Sequence, residues 1–225
     1  MRSTLIAPTF NEVEAVRRTL PAIDRSWVDE ILVVDNHSTD GTIEWCAQHG
    51  YPVYLQQQPG YGNGIREAVQ RATGEIIIEF PPDGSSLAAT IPALIAKVRE
   101  GYDLVIASRY RDGAHSEDDD ALTAIGNWGF TRLTNLLFRT TYTDVLCGYR
   151  AYRKTSFDAL GLDAAHLSWV IQSSIRFATH GYRVGEIGAD EHKRIGGVRK
   201  MRPFTTGLEL LGIMAQELVR KDSQR

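Results

Sequence analysis

Short apolar runs alternate with amphipathic stretches through the first half of the chain. The apolar runs are residues 5–7, 31–34, 53–55, 75–80 and 104–107. The stretches between them have helical spacing, at residues 12–20, 42–49, 65–72 and 91–100. Strands without polar alternation are typical of a sheet buried on both faces, and strand–helix alternation indicates parallel strands. We therefore predict an α/β fold, an αβα sandwich around a mostly parallel central sheet.

The second half of the chain is less regular. Apolar residues at helical spacing predict helices over residues 121–138 and 168–180. Extended apolar segments predict strands near residues 149–153 and 182–187. These elements would complete the core of the same domain.

Two further segments of the second half have distinct patterns. Residues 112–120 end in four consecutive acidic residues, which favours a solvated loop, with a metal site as the alternative. The stretch 207–220 is apolar with its polar positions on one side of a helix. We expect one main domain over residues 1–205 and a C-terminal amphipathic helix over residues 206–225 that serves as an interface or membrane contact.

Composition and charge narrow the class of protein. The chain has 225 residues, of which 43% are hydrophobic and 24% charged, as in ordinary globular domains. Its formal net charge of −3 does not suggest a nucleic-acid partner. The two cysteines are far apart and fit no metal-ligand spacing, which favours a reduced compartment. Since no apolar run is long enough for a leader or a membrane span, we expect a cytoplasmic protein that would meet any membrane substrate at the inner face.

Polar clusters follow the early strands of the predicted sheet. They occupy residues 8–12, 35–42, 81–85 and 108–110. In parallel sheets, ligands bind outside the carboxyl ends of the strands, so these clusters are the candidate site. The alternative for residues 35–42 is a capped strand-to-helix turn without further function.

The ordered set of motifs resembles family-2 glycosyltransferases with the Rossmann-like GT-A fold. Residues 8–12 (PTFNE) resemble the family's P-T-Y-N-E, and residues 33–42 (VVDNHSTDGT) resemble its V-V-D-D-G-S-T-D-G-T. Residues 108–110 (SRY), 147–153 (CGYRAYR) and 194–201 (RIGGVRKM) are similar to the S-R-Y, S-G-F-R-A-F-R and R-x-G-x-S-K-L of the dolichyl-phosphate mannose synthase branch. Together the matches cover most of the chain.

The resemblance implies a nucleotide-sugar site. The residues that it assigns to that site are Pro8, Asn11, Glu12, Asp35, Asn36, Gly62 and Asn63. Asn36 stands where the family usually has a second Asp, and an amide donates as well as accepts, so the donor base, guanine or uracil, stays open. The alternative for the glycine-rich residues 60–64 is a flexible connector.

The metal motif departs from the family pattern. Where relatives carry D-A-D, this chain has Pro81-Pro82-Asp83, and proline cannot ligate a metal. Asp83, as catalytic group and metal ligand, and Ser85, as second ligand, would hold Mg²⁺ or Mn²⁺ against the donor diphosphate. One alternative is that Asp83 only turns the chain. The other is a metal-poor site in which cations of the protein neutralise the leaving group.

Basic residues provide candidate phosphate contacts. Arg109 follows a strand end, where its guanidinium could contact phosphate with two hydrogen bonds, and we assign it a catalytic role as well. Arg194 and Lys200 belong to a basic segment, residues 192–202, that contains two glycines and would suit closure over phosphates. The alternative is a solvated basic face.

The resemblance implies an inverting hexosyltransferase that moves sugar from a GDP- or UDP-linked donor to a polyprenyl phosphate. Such a phosphate is already largely dianionic and needs no general base, and residues 167–172 lack the carboxylates that hydroxyl-directed relatives carry. One alternative is a soluble hydroxyl or saccharide acceptor, with Asp144, Asp190 or Glu191 as base. Another is a non-catalytic nucleotide-sugar-binding module. The apolar helices would contact a membrane peripherally or form a homodimer.

Overall fold

The computed structural model describes residues 1–196 and 202–223. The strands are β1 Ser3–Thr9, β2 Glu30–Asp35, β3 Val53–Leu55, β4 Ile76–Glu79, β5 Leu104–Ser108, β6 Arg150–Arg153 and β7 Val184–Gly188. The helices are α1 Val13–Thr19, α2 Thr42–Gln48, α3 Tyr61–Arg71, α4 Ile91–Arg99, α5 Ala121–Phe138, α6 Lys154–Ala159, α7 Trp169–Thr179 and α8 Pro203–Ser223.

The strands form one sheet in the order β3-β2-β1-β4-β6-β5-β7. β1 is parallel to β2 and β4, β2 to β3, and β5 to β7. Only β6 among these strands is antiparallel to both of its neighbours. The predicted α/β fold with a mostly parallel sheet is therefore confirmed. The reversed β6 was not predicted, because the hydrophobic pattern of a short buried strand does not encode its direction.

The central strands lie in the core with both faces covered. Leu5, Ile6, Ile77 and Val105 have no exposed surface, which explains why these strands lack polar alternation. Because β6 reverses direction between β4 and β5, the strands on either side of it point the same way. The loops after β1, β2, β4 and β5 therefore meet at one edge of the sheet.

The C-terminal helix α8 packs against α7. Leu210 and Met214 of α8 are buried, and Arg176 of α7 pairs with Glu217 at 2.7 Å between side chains that are almost fully buried. The helix starts before residue 206, where the boundary was predicted. Its role as an interface or membrane contact stays a prediction.

Helices α5 and α8 expose large apolar side chains. On α5 these are Leu122, Ile125, Trp128 and Leu136, and on α8 they are Phe204, Leu208, Leu211 and Val219. We call these eight side chains the apolar face. Within the described residues, none of the helices combines the length and the apolarity needed to cross a bilayer.

Candidate active site

A pocket of about 950 Å³ opens at the carboxyl edge of the sheet. It brings together predicted site residues from five separate segments, namely Pro8, Glu12, Asn36, Asp83, Arg109 and Arg194. Asn11, Asp35, Gly62, Asn63 and Ser85 do not line it. Lys200 lies outside the described residues.

Asp35 is fully buried and holds the loops after β1 and β2 together. Its Oδ1 accepts a hydrogen bond from the Ser38 backbone N–H at 2.6 Å. Its Oδ2 accepts from the hydroxyls of Ser38 and Thr9, both at 2.6 Å. Asn11, with φ of 55°, accepts from the backbone N–H of Thr39 at 2.8 Å. Both residues therefore shape the pocket wall from behind, and their predicted contact with nucleotide stays a prediction.

Asn36 lines the pocket beside Gln56, a residue that the sequence analysis missed. The Gln56 side-chain amide donates to Asn36 Oδ1 at 2.8 Å and to the backbone carbonyl of Gln58 at 2.8 Å. The pairing fixes the orientation of both side chains at this wall. Gln56 directly follows β3, so the rule that ligands bind outside the carboxyl ends of the strands could have found it.

The glycine-rich residues 60–64 form the start of α3 rather than a loop. A Cβ on Gly62 would lie 2.2 Å from the carbonyl oxygen of Ala164 and 2.8 Å from Trp169 Cβ. Glycine at this position therefore permits close packing of α3 against the segment before α7. The prediction that this helix begins near residue 65 was wrong, as was the flexible-connector alternative.

Asp83 faces the pocket from the turn after β4. Its Oδ1 accepts from the backbone N–H and the hydroxyl of Ser85, at 3.0 and 2.7 Å. Ser85 is buried outside the pocket lining, with its hydroxyl committed to Asp83. Asp83 Oδ2 points toward Arg194 Nη2 at 3.5 Å. Ser85 is therefore placed to orient Asp83, and its predicted role as a ligand stays a prediction.

This turn can offer a divalent cation one carboxylate ligand. The described residues contain no group of three or more His, Cys, Asp or Glu that could hold a metal ion. Mg²⁺ is often bound by one or two carboxylates, water and substrate phosphates. Asp83 Oδ2 could supply the carboxylate oxygen, and a diphosphate would have to complete the coordination. The turn thus offers a divalent cation one carboxylate from the protein, and the metal itself stays a prediction.

Arg194 is held by carboxylates from two other segments. Its Nη2 donates to Asp118 Oδ2 at 2.9 Å and faces Asp83. Burial opposes the charge of Arg194, but Asp118, Asp83 and Glu12 outweigh burial and raise the pKa of the guanidinium. Asp118 was interpreted from sequence as part of a solvated loop, which is wrong, since its side chain is only 12% exposed.

Arg109 lies in the pocket within a ring of carboxylates. Its Nε and Nη2 donate to the two oxygens of the buried Asp144 at 2.7 and 2.9 Å. Its Nη1 lies 3.3 Å from Glu191 and 3.5 Å from Asp119, whose side chain is 3% exposed. Burial disfavours the charges of Arg109 and Asp144, but their attraction outweighs it, raising the pKa of Arg109 and lowering that of Asp144. The guanidinium is therefore already bound on several sides, which restricts its contact with phosphate.

Glu191 is the one of the three candidate bases that lines the pocket. Burial raises the pKa of its carboxyl group, and Arg109 and the Ser116 hydroxyl offset this effect only in part. Asp144 is buried against Arg109. Asp190 lies at the surface, where it accepts from the backbone N–H of His115 at 3.0 Å.

Both charged and apolar side chains line the pocket. The described carboxylates that line it are Glu12, Asp83, Asp118, Asp119, Glu191 and Glu209, against Arg109, Arg194 and Arg202. The apolar lining includes Leu122, Phe130, Leu146, Leu167, Val170, Phe204 and Leu210. Leu122 and Phe204 belong both to this lining and to the apolar face, so part of the apolar lining continues onto the exposed surface.

The model of the family described as Glycosyl transferase family 2 matches residues 4–161. This chain is a family-2 glycosyltransferase. Among its relatives, an uncharacterized glycosyltransferase of Mycobacterium tuberculosis (strain ATCC 25618 / H37Rv) is 30% identical over 199 residues, 88% of each chain. An undecaprenyl-phosphate mannosyltransferase of Micrococcus luteus is 29% identical over 227 residues, which cover 95% of this chain and 93% of that one.

The solved structures similar to this glycosyltransferase confirm the predicted GT-A fold. Glucosyl-3-phosphoglycerate synthase from Mycobacterium tuberculosis, in complex with uridine diphosphate, superposes with a TM-score of 0.78 at 16% identity. The match covers 96% of this chain and 80% of that one. The prediction that the chain is a glycosyltransferase is also confirmed. At this identity, the structural match supports the fold alone.

Proposed function

We propose that this glycosyltransferase transfers a sugar, with inversion, from a nucleoside diphosphate donor to a polyprenyl phosphate, in the manner of the dolichyl-phosphate mannose synthase branch. The observation that carries the proposal is that one pocket combines charged and apolar lining. Asp83 and Arg194 line the same pocket as Leu122 and Phe204, which also belong to the apolar face. An acceptor with a phosphate head and a long apolar chain matches both kinds of lining. The similarity to an undecaprenyl-phosphate mannosyltransferase supports the same acceptor class.

The donor is a GDP- or UDP-linked sugar in this proposal. Pro8 and Asn36 would contact the nucleoside, with Asn11, Asp35, Gly62 and Asn63 supporting the walls around it. Solved structures of the same fold were obtained with uridine diphosphate and Mn²⁺ or Mg²⁺. The Asn36–Gln56 pair offers both donor and acceptor atoms, so it is compatible with either base.

The charge of the pocket supports a divalent cation as cofactor. Its described lining has six carboxylates and three arginines, so a diphosphate entering without a cation would meet net negative charge. Asp83 would hold Mg²⁺ or Mn²⁺, with Ser85 fixing the carboxylate. When bound, such an ion stabilises the charge that develops on the departing diphosphate. Arg194 would add a hydrogen-bonding cation to the same leaving group, and Lys200 would assist it.

The acceptor needs little activation by the protein. A phosphate monoester is largely dianionic at neutral pH, since its second pKa is about 6. Its oxygen can attack the anomeric carbon while the bond to the diphosphate breaks. Arg109 would offer the acceptor phosphate a guanidinium contact whose orientation is fixed, and whose reach is restricted, by its three carboxylate neighbours.

The apolar face would rest on a lipid surface and admit the polyprenyl chain. Trp128 and Leu208, one on each helix, are among its exposed side chains. Exposed apolar groups of this kind favour peripheral insertion at a bilayer surface. In this proposal, residues 1–205 carry the chemistry and the C-terminal helix positions them at the inner face of the membrane. A homodimer through the same face is the competing outcome.

The decisive experiment compares acceptors with one enzyme preparation. We expect transfer from a labelled GDP- or UDP-hexose to undecaprenyl phosphate in detergent micelles, detected as label in the organic phase. The double variant Ile125→Gln/Leu208→Gln should lower this transfer about tenfold, while Leu55→Gln, at an exposed site outside the pocket lining, should not change it. Efficient transfer to a soluble sugar or phosphoglycerate, with none to the lipid, would contradict the proposal.

A hydroxyl acceptor is the second candidate, and Glu191 is the observation that favours it. Burial raises the pKa of this carboxyl in the pocket, which suits a general base. In that case Glu191→Gln should abolish transfer to a saccharide and remove the acidic limb of the pH–rate profile. For a phosphate acceptor, Glu191→Gln should leave the chemical step nearly intact.

A further inference from the structure

Arg194 is fixed beside Asp83 by the backbone on both sides of it. The N–H of His192 donates to the Ser85 carbonyl at 2.9 Å, and the N–H of Ile195 donates to the Asp83 carbonyl at 2.9 Å. Gly84, with φ of 91°, leaves the room into which the Ile195 side chain packs. The segment that carries Arg194 is thereby attached to the turn that carries Asp83.

The guanidinium of Arg194 has two anchors of unequal strength. Nη2 and Nε donate to Asp118 Oδ2 at 2.9 and 3.3 Å. The contact with Asp83 is a single approach of 3.5 Å from Nη2 to Oδ2. Because Ser85 occupies Oδ1 with two donors, Oδ2 is the oxygen of Asp83 that faces both Arg194 and the pocket.

From this geometry we propose that Arg194 is the resident counter-cation of Asp83, and that a divalent cation and Arg194 exclude each other from Asp83 Oδ2. The inference rests on the proposed function in placing the cation at Asp83. Asp118 is then a positioning residue. It keeps the guanidinium in the pocket when the metal takes Asp83, so that Arg194 turns to the incoming diphosphate.

Electrostatics explains why the two cations exclude each other. A guanidinium and a divalent ion on one carboxylate oxygen would lie within a few ångströms and repel each other, and the partial exposure of both side chains reduces this repulsion to the size of a partly exposed ion pair. The diphosphate relieves this conflict, because it brings negative charge that both cations can share. Arg194 would therefore weaken metal binding in the absence of nucleotide and strengthen nucleotide binding in the presence of metal.

The test measures Mn²⁺ binding to the full chain without nucleotide, by the electron paramagnetic resonance signal of free Mn²⁺. Arg194→Gln should bind Mn²⁺ about twofold to fivefold more tightly than the unaltered protein, the size expected for loss of one partly exposed ion pair. Arg194→Lys keeps the charge and should stay near the unaltered protein. Lys193→Gln, an exposed neighbour in the chain, is the matched control and should change the Kd less than twofold.

Two further measurements complete the test. The double variant Asp83→Asn/Arg194→Gln should lose the gain in Mn²⁺ affinity, and Arg194→Gln should bind UDP or GDP more weakly than the unaltered protein when Mn²⁺ is saturating. Unchanged or weaker Mn²⁺ binding by Arg194→Gln, or a gain that persists without the Asp83 carboxylate, would overturn the inference. These outcomes do not depend on the acceptor. Failure of transfer to lipid would therefore contradict the proposed function without affecting the result of this test.

Discussion

The loops on the two sides of the pocket are held by different forces. The loops after β1 and β2 are held together by hydrogen bonds from uncharged groups to a carboxylate. The hydroxyls of Thr9 and Ser38, for example, donate to Asp35. After β5 and β7, the loops are closed by ion pairs between segments far apart in the chain, as between Arg194 and Asp118. The first side is a preformed wall. The second side is held by ion pairs, and a charged ligand can change which groups are paired.

Asp83 stands where these two kinds of structure meet. Its Oδ1 belongs to a local turn bonded by Ser85, and its Oδ2 belongs to the long-range charge network through Arg194. A single carboxylate therefore joins a rigid support to an exchangeable partner. This arrangement suits a group that must hold a fixed position while the charge opposite it changes.

The variant Asp83→Asn tests that position and should have the largest effect. The amide keeps an oxygen for the Ser85 donors but loses the charge, so kcat/KM for sugar transfer should fall about 10²–10³-fold, the range for removal of one electrostatic group at a reaction centre. The free energy of unfolding should change by less than about 1 kcal/mol, because the ion pair with Arg194 is partly exposed. Steady-state kinetics and urea unfolding measure the two quantities. A parallel loss of activity and stability would instead make Asp83 a structural residue.

The sequence predicted the rigid side better than the charged side, for physical reasons. Buried parallel strands such as β1 have continuous apolar runs, and the polar residues that follow them must lie at one edge of the sheet. Asp118 was interpreted as solvated because its acidic neighbours give no sign of Arg194, which lies 76 residues away in the chain. Asp119 contacts Arg109 and Tyr110, which are only 10 and 9 residues away, but the acidic run gives no sign that the chain folds back onto the end of β5. Spacing alone pairs neither aspartate with its arginine.

The start of α3 shows a second limit of prediction. Its glycines have the composition of a loop, and their effect on packing depends on Ala164 and Trp169, which come from a distant segment. The antiparallel direction of β6 is a third case, because direction is set by the connection and not by the residues of the strand. Of the two predicted metal ligands, Asp83 lines the pocket and Ser85 does not, and the metal site itself stays a prediction.

The variant Asp144→Asn tests the charged side of the pocket and should weaken the ion pairs around Arg109. Asp144 is fully buried and accepts from Arg109 Nε, Nη2 and backbone N–H as well as from Asn127. Loss of its charge leaves the buried guanidinium less compensated, and we expect the free energy of unfolding to fall by about 2–3 kcal/mol. Urea denaturation at neutral pH measures the change. Asp190→Asn, at a half-exposed carboxylate, is the control and should stay within about 0.5 kcal/mol.

The variant Glu191→Gln should have the smallest effect of the three, a change in how the free energy of unfolding depends on pH. It tests whether an ionised group on the charged side of the pocket stabilises the fold. Burial raises the pKa of the Glu191 carboxyl above its value in the unfolded chain, so the folded state binds the proton more tightly and loses stability as pH rises through that pKa. Gln cannot ionise, so the variant should unfold at a higher urea concentration than the unaltered protein at pH 8, and the difference should shrink toward zero as pH falls to 4. The gain is small because Arg109 and Ser116 offset much of the burial cost. The opposite result would be a variant that is less stable than the unaltered protein at pH 8 and equally stable at pH 4. It would mean that the ion pairs of ionised Glu191 stabilise the fold by more than burial of the charge destabilises it.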